Sequence, residues 1–341
     1  TYQSPNFILT DLTYVPDDNF EQRLINLGYD DNLDDYVITS NISNVEKLEL
    51  YFANNETRIS DVTGISSFTS LKELDLRYND IESLDLSNNT NLVSLNINKN
   101  TSWGNKSLKS LILPNTTTLT SLKLVRHEIK EIDVSVFNEL QELDLTAFDN
   151  SNATNNISEI DLSNNTELII LRLGNNSIAN LNLEQNSKLE ELKIQNNKLN
   201  IMDVSLLSQL ESANFKVNPG DCIKVSQTQL DNIPSGWSKD SDDEYSTDCG
   251  FIYVPDDVFE SNLIQSGYDS GLLDNYVDIR NIKDLTKLTL QEFNIDGILS
   301  HVKDMTGIDG FKALEELVFD DNVDELNSID LSENINLKKL F

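Results

Sequence analysis

The chain is poor in the residues that most chemistry needs. Its 341 residues include 2 cysteines, 2 histidines, 2 tryptophans, 2 methionines, 6 prolines and 12 glycines. Two cysteines with His127 and His301 are too few for a zinc cluster. A serine or cysteine triad needs a histidine beside its nucleophile, and neither histidine sits in such a motif. No glycine-rich phosphate loop is present, and no run approaches the ~20 apolar residues of a membrane span. Basic residues are scarce as well: 25 Lys and Arg face 58 Asp and Glu, a net charge of −33. That excludes nucleic acid, whose phosphates require basic patches, and disfavours anionic membranes. In so acidic a chain paired carboxylates occur everywhere, so no one pair marks an active site. No enzyme and no cofactor is expected.

What is abundant is repetition. The clearest copy reads Leu71-Lys-Glu-Leu74-Asp-Leu76-Arg-Tyr-Asn79-Asp-Ile81-Glu-Ser-Leu84-Asp-Leu86-Ser-Asn-Asn-Thr-Asn91. Others open at Val45, Leu92, Leu119, Leu140, Leu168 and Leu189, with a degenerate copy at Leu210, and the bare period, 92 − 71, is 21 residues. The pattern LxxLxLxxNxI marks a leucine-rich repeat. A fixed short period means stacked units, each unable to bury its own leucines. Leu74 and Leu76 alternate with Asp75 and Arg77 in strand periodicity, and Asn79 ends the strand in position to bond neighbouring turns. Leu84-Asp-Leu86-Ser predicts a second, returning strand, and Asn88-Asn89-Thr90 a turn through left-handed dihedrals. His127 falls where Asn79 stands in the clear copy and reads as a structural substitution. The expected fold is a mostly β, right-handed curved solenoid, with parallel strands on its concave face and short helical N-terminal caps.

Both ends of the stack are treated. Residues 1–44 hold an N-terminal region in which Val15 to Gly28 predicts a short helix, capped by Asp17 or Asp18, with Phe20, Leu24 and Leu27 on one face. Repeats fill 45–217. A closing cap covers 218–250, where Cys222 and Cys249 bracket a polar segment otherwise expected to be poorly ordered. The two form either a disulfide or a pair of buried free thiols. The lid then recurs: Tyr14-Val-Pro-Asp-Asp-Asn-Phe20-Glu matches Tyr253-Val-Pro-Asp-Asp-Val-Phe259-Glu at an offset of 253 − 14 = 239. Gly28-Tyr-Asp matches Gly267-Tyr-Asp, and Val62-Thr-Gly-Ile65 matches Met305-Thr-Gly-Ile308. A second tandem module therefore begins near 251, with a cap over 251–284 and repeats from 285 to 341, opening at Leu285 and Leu314. The last residues fall inside a fresh strand, as in a fragment of a longer array.

These motifs together resemble the secreted leucine-rich-repeat surface proteins of Bacteroidetes-type bacteria. The lid leads into Leu33-Asp-Asp-Tyr-Val, and Leu-Asp-Leu-Ser-Asn-Asn-Thr recurs with Ile160 leading at 160–166. Asn218-Pro-Gly-Asp-Cys222, Ser235-Gly-Trp237 and Ser246-Thr-Asp-Cys249 resemble that family's disulfide cap. More distantly the chain is similar to internalin-type adhesins. The resemblance implies a secreted or bacterial cell-surface protein that binds a protein or glycan, alongside further tandem modules of the same polypeptide. The alternative is a structural stalk with no ligand site of its own.

Candidate contacts follow from the alignment. The scarce cations gather on the outward side of the strands: Arg77, Lys99, Lys123, Arg126, Arg172 and Lys193, with Tyr51 and Tyr78 beside them. They read equally as a ligand face or as a self-neutralising ladder, with Asp144 between Lys123 and Arg172. Insertions near 54–57, 101–106 and 149–155 fall on one edge, and Trp103 tops the middle one, either as an exposed anchor or folded back over the edge. Asp30, Asn32 and Asp34 have the spacing that starts an EF-hand loop, but Asp35 replaces its glycine and Asn41 its final glutamate. Asp269-Ser-Gly-Leu-Leu-Asp274 loses the pattern, so a solvated acidic turn is the plainer reading and calcium the lesser one.

Overall fold

The chain, seen in a computed structural model, is described over residues 11–51, 58–98, 107–147, 157–220, 222–269, 273–295, 298–319, 326 and 328–341. It divides into two units, Thr1–Tyr245 and Ser246–Phe341. In the first, a parallel sheet of 9 strands follows the repeats in chain order. The strands are Lys47–Glu49, Glu73–Asp75, Ser94–Asn98, Ser121–Val125, Glu142–Asp144, Ile170–Arg172, Glu191–Lys193, Ser212–Asn214 and Gly236–Ser238. Leu48, Leu74, Leu95, Leu122, Leu143, Leu171 and Leu192 stand in one lateral row, continued by Ala213 and Trp237. All are buried, and each buried leucine contributes ~1.5–3 kcal/mol before chain entropy is subtracted.

The ninth strand comes from the closing cap. The segment between the cysteines is folded rather than loose: strand Cys222–Lys224, helix Gln227–Asp231, then strands Gly236–Ser238 and Glu244–Ser246. Cys222 and Cys249 are joined in a disulfide. Trp237 takes the leucine position, donates its indole N–H to Leu210 O at 3.1 Å, and meets Phe215 and Tyr245 at 5.6 and 5.7 Å between ring centroids. An aromatic trio thus replaces the coil that would otherwise have to cover Ala213.

Asparagine ladders satisfy the backbone between strands. Asn79 donates to Leu50 O and Leu76 O at 3.0 and 3.1 Å and accepts from Ile59 N at 3.0 Å. Asn197 does the same with Leu173 O, Ile194 O and Ile178 N, and Asn176 and Asn218 follow suit. His127 fills this position as a neutral ring: Ile129 N–H donates to Nδ1 at 3.0 Å, which leaves Nε2–H for Leu145 O at 3.1 Å. Burial lowers its pKa, consistent with that state.

The turn chemistry differs from expectation in two ways. Asn89 is not a left-handed turn residue; it is fully buried and donates to Ile65 O and Phe68 O. Asn165 and Asn186 repeat this on later coils, and Gln229 in the cap. The left-handed residues lie one place before the first ladder: Tyr78, Arg126, Asn175, Asn196 and Val217, with φ between 57° and 66°. The reversal lets the strand turn its next side chain inward. The returning run also forms fewer strands than expected: Ser83–Asp85 pairs with Ser110–Ile112, and Met202–Asp203 with Cys222–Lys224. At Asp133 and Asp161 the carboxylate instead caps the amide two residues on.

The lid helix runs Asp18–Asn26, with Asp17 Oδ1 accepting from Asn19 N and Phe20 N. Its other oxygen accepts from Ser60 N and Asp61 N, which fastens the lid to the first repeats. Phe20 and Leu24 are buried, but Leu27 sits at the C-cap and is 37% exposed, so it does not share their face. Gly64 has φ 101°, and a Cβ there would meet Tyr14 O at 2.8 Å, so the lid hairpin rests on a bare backbone.

The second unit repeats this plan. Helix Asp257–Gln265 is capped by Asp256, whose Oδ2 accepts from Lys303 N and Asp304 N. Strands Lys287–Leu290, Glu316–Phe319 and Lys339–Leu340 form its parallel sheet.

Replacing Asn197 by Ala strands two carbonyls and an amide, and should cost about 2–4 kcal/mol. The same change at exposed Asn88 should stay within about 0.5 kcal/mol. Urea unfolding curves of the two variants compare them directly.

Candidate functional site

The outward side of the main sheet carries two adjoining columns of side chains. One runs Glu49, Asp75, Asn96, Lys123, Asp144, Arg172, Lys193 and Asn214, side by side in register. The other, two residues earlier, includes Lys47, Glu73, Glu142 and Glu191. Strands ~4.8 Å apart bring these groups within ion-pair reach.

Arg172 is the hub. Its guanidinium reaches Glu191 at 2.8 Å, Glu142 at 3.2 Å and Asp144 at 3.6 Å. Lys123 joins at Glu142, 2.7 Å away. Lys193 donates to Ser212 Oγ at 2.7 Å. Further along, Arg77 makes a two-toothed pair with Asp75 and lies 4.8 Å over the Tyr51 ring. Arg77, Lys123 and Arg172 are thus engaged with the sheet's own carboxylates, and Lys193 with a serine hydroxyl. The hydrogen bond to Glu191 raises the pKa of Arg172 against the effect of burial, and that same bond holds Glu191 below its ordinary value.

Tyr78 and Arg126 are brought to a different place. Both adopt left-handed backbone at the strand ends, where Tyr78 N donates to Asn98 O and Arg126 N to Thr146 O. Arg126 and His127 line a small cleft with Leu76, Asn79, Ile97 and Leu108. Trp103, Lys99 and the three insertions at 54–57, 101–106 and 149–155 lie outside the described residues.

The acidic lid loop is exposed over residues 31–36, and its Asp34 and Tyr36 amides bond back to Glu21 of the lid helix. Asp30 is half-buried, which raises its pKa, as do the nearby charges of Asp34 and Asp31. Asn32 is exposed and donates to Asp31 Oδ1 at 2.9 Å. Asp34 Oδ1 accepts from Tyr36 N at 3.1 Å, and Glu21 Oε1 accepts from the same N–H at 3.1 Å. Glu21, which sequence reasoning passed over, is fully buried. In the second lid Glu260 is equally buried, and burial, with Asp274 and Asp269 beside it, pushes its pKa up to about 8. A glutamate on an apolar helix face was the only signal that could have marked either.

No protein-family model matches the chain, and no curated protein does. Internalin-type leucine-rich-repeat proteins are among its structural neighbours. The functional domain of InlJ from Listeria monocytogenes is 22% identical, with 96% of this chain and 65% of that one covered and a TM-score of 0.36. Internalin C2 from Listeria monocytogenes is 22% identical, over 68% and 95%, at 0.47. A leucine-rich-repeat protein of Leptospira interrogans is 17% identical, over 89% and 73%, at 0.45. The chain thus spans about 65% of the InlJ domain's length. No helix among the described residues is long and apolar enough to cross a membrane.

Removing the hub should expose its cost. Arg172→Met leaves three carboxylates facing one another and should destabilise the chain by about 1–2 kcal/mol at pH 7. Because Glu191 is held below its ordinary 4.5, its contribution is full above that pH and lost as the pH falls through the lower folded value. The variant's deficit should accordingly be smaller at pH 3 than at pH 7, as thermal melts at the two pH values would show.

Proposed function

We propose that the chain is a non-catalytic binding module, secreted or displayed on a bacterial surface, that takes a protein or glycan partner on the outward sheet face and the adjoining loop edge. The observation that carries this reading is the contrast of charge. On a chain of net charge −33, Arg77, Lys123 and Arg172 meet their counter-ions on one side of one sheet, with Lys193 beside them on the Ser212 hydroxyl. That strip is close to neutral within an acidic surface, so a partner escapes the repulsion it would meet elsewhere. Repeat scaffolds present such faces as rigid platforms, and rigid platforms lose little entropy on binding. Tyr78 and Arg126 stand at the strand ends, and the repeat alignment assigns Trp103 to an insertion just after that position. The disulfide between Cys222 and Cys249 supports an oxidising, extracellular compartment. Neutral ion-paired strips and aromatic side chains favour recognition over chemistry, in line with the absence of a nucleophile–base pair in the sequence.

The recurrence of the lid at Tyr253 favours a second reading, in which tandem modules build a stalk and the ligand site lies elsewhere in the polypeptide.

Binding of immobilised wild-type chain to a glycan array and to a panel of extracellular proteins separates the two. The first reading expects one retained ligand whose binding falls at least about tenfold in Arg172→Glu or Trp103→Ala, with unchanged circular dichroism. Retention that is untouched in both variants would sink it. Rod-like scattering from longer constructions of the array, with no ligand on either panel, would favour the stalk.

A further inference from the structure

We propose that each helical lid carries a calcium site, built from the glutamate of the lid helix and two aspartates of the loop that follows. The ligands are Glu260, Asp269 and Asp274 in the second unit, and Glu21, Asp30 and Asp34 in the first.

The second lid shows the cluster at its tightest. Glu260, Asp269 and Asp274 each offer a carboxylate oxygen, and these oxygens lie within 4.8 Å of one another. Calcium holds its ligands at about 2.3–2.6 Å, so oxygens on opposite sides of one ion stand roughly 5 Å apart. The trio can close on an ion without backbone movement. Glu260 is fully buried, and the charges nearest to it are those of Asp274 and Asp269, both of its own sign. A buried anion among anions is costly until a cation or a proton joins it.

The first lid supplies an independent sign. Glu21 is fully buried, and its Oε1 accepts from Asp34 N and Tyr36 N at 2.9 and 3.1 Å. Its Oε2 is buried and has no partner; nor has Asp30 Oδ2. Asp34 Oδ1 shares the Tyr36 N–H with Glu21, which sets those two carboxylates side by side. The buried glutamate thus faces the aspartate loop with an acceptor that nothing fills. The loops begin and end alike in both lids: Gly28 and Gly267 have φ 80° and 76°, Asp35 and Asn275 have φ 68° and 63°. Glu260 oxygens likewise accept from Asp274 N and Asn275 N at 2.7 and 3.1 Å. The lids thus share the buried glutamate and its bonds to the loop amides, while among the described residues only the second brings three such carboxylates within 4.8 Å of one another.

The ligand set selects the ion. All donors are hard carboxylate oxygens, which suit calcium or magnesium and not zinc or copper. Magnesium gives up its water reluctantly, whereas a fully buried glutamate demands that the ion shed water on one side. The aspartates, half-buried at Asp30, Asp269 and Asp274 and exposed at Asp34, leave the other side open for entry and for water ligands. The spacing is unlike an EF-hand: the first ligand comes from the helix, and the aspartates follow at 30 − 21 = 9 and 34 − 21 = 13 residues, or 269 − 260 = 9 and 274 − 260 = 14. The extra residue in the second loop breaks the sequence pattern and leaves the cluster intact.

Terbium luminescence, excited through the adjoining tyrosines Tyr29, Tyr36, Tyr268 and Tyr276, tests the proposal on the full chain. We expect saturable emission from two sites, displaced by calcium chloride, one site in Glu260→Gln, and none in Glu21→Gln/Glu260→Gln. At Glu21 one oxygen serves both loop amides, so Gln keeps those bonds; at Glu260 each oxygen serves one amide, so Gln gives up one bond, and circular dichroism checks that the fold persists. Asp30→Asn/Asp269→Asn, at the half-buried rim, serves as a second pair and should show the same loss. Calcium at about 5 mM should also raise the thermal midpoint of the wild type by about 2–5 °C and leave the double variants unmoved. Emission equal in wild type and both double variants would mark counter-ions on an acidic surface, and absence of saturable emission from the wild type would mark lids held by protons. Either result overturns the proposal.

Discussion

The amide side chain that spans two coils is the interaction on which this molecule depends. A solenoid with so little helix leaves carbonyls and amides stranded wherever the chain leaves a strand. Each stranded group costs about 1–3 kcal/mol when buried. Asn79, Asn176, Asn197 and Asn218 each collect two carbonyls and one amide from neighbouring segments. Leucine burial drives the stack together but is indifferent to register. The amides are not, because a slip of one residue removes all three bonds at once. The leucines therefore supply the energy, and the asparagines fix the geometry. His127 shows that the requirement is chemical, since a neutral imidazole with a donor and an acceptor on opposite sides can stand in the row.

The same constraint explains the two ends of the first unit. A parallel sheet stops with an edge of unpaired backbone groups. At the lower edge the lid helix buries Phe20 and Leu24, and its cap residue Asp17 spends its second oxygen on Ser60 and Asp61. At the upper edge the chain adds Gly236–Ser238, a strand without a repeat, and places Trp237 in the leucine row. Gly236 has to be bare there, because a Cβ would meet Glu211 O at 2.4 Å. Gln229 continues the second amide ladder within the cap by bonding Val204 O and Leu207 O. The cap is thus one more coil, written in different residues.

That difference in residues decides what could be read from the sequence. Leucine spacing placed eight of the main strands, because a period of 21 has one physical interpretation. The lid helix was legible from Asp17, Phe20, Leu24 and Gly28, which obey local rules of capping and periodicity. The ninth strand was not legible, since Gly236-Trp237-Ser238 shares no letter with the leucine pattern and is a strand only because Ser212–Asn214 offers it an edge. The left-handed column escaped too. Tyr78, Arg126 and Val217 have no propensity for positive φ, and tertiary bonds impose it on them. On the outward face, the positions of Lys123 and Arg172 follow from alternation, but whether a cation is free or paired depends on rotamers. Glu142 and Glu191, which engage Arg172, lie one coil away on either side.

Electrostatics joins these observations. A chain of charge −33 repels itself, and the repulsion grows as the coils stack and bring like residues to the same height. On the sheet face the chain answers with Arg172 set among Glu142, Asp144 and Glu191, one cation serving three coils. In the lids no lysine or arginine plays that part for Glu260, whose nearest charges are acidic. Yet both lids place a fully buried acid on the lid helix, Glu21 and Glu260. The sheet meets its excess charge with side chains of its own, whereas in the lids the buried acid is met by backbone amides, Asp34 N and Tyr36 N for Glu21 and Asp274 N and Asn275 N for Glu260.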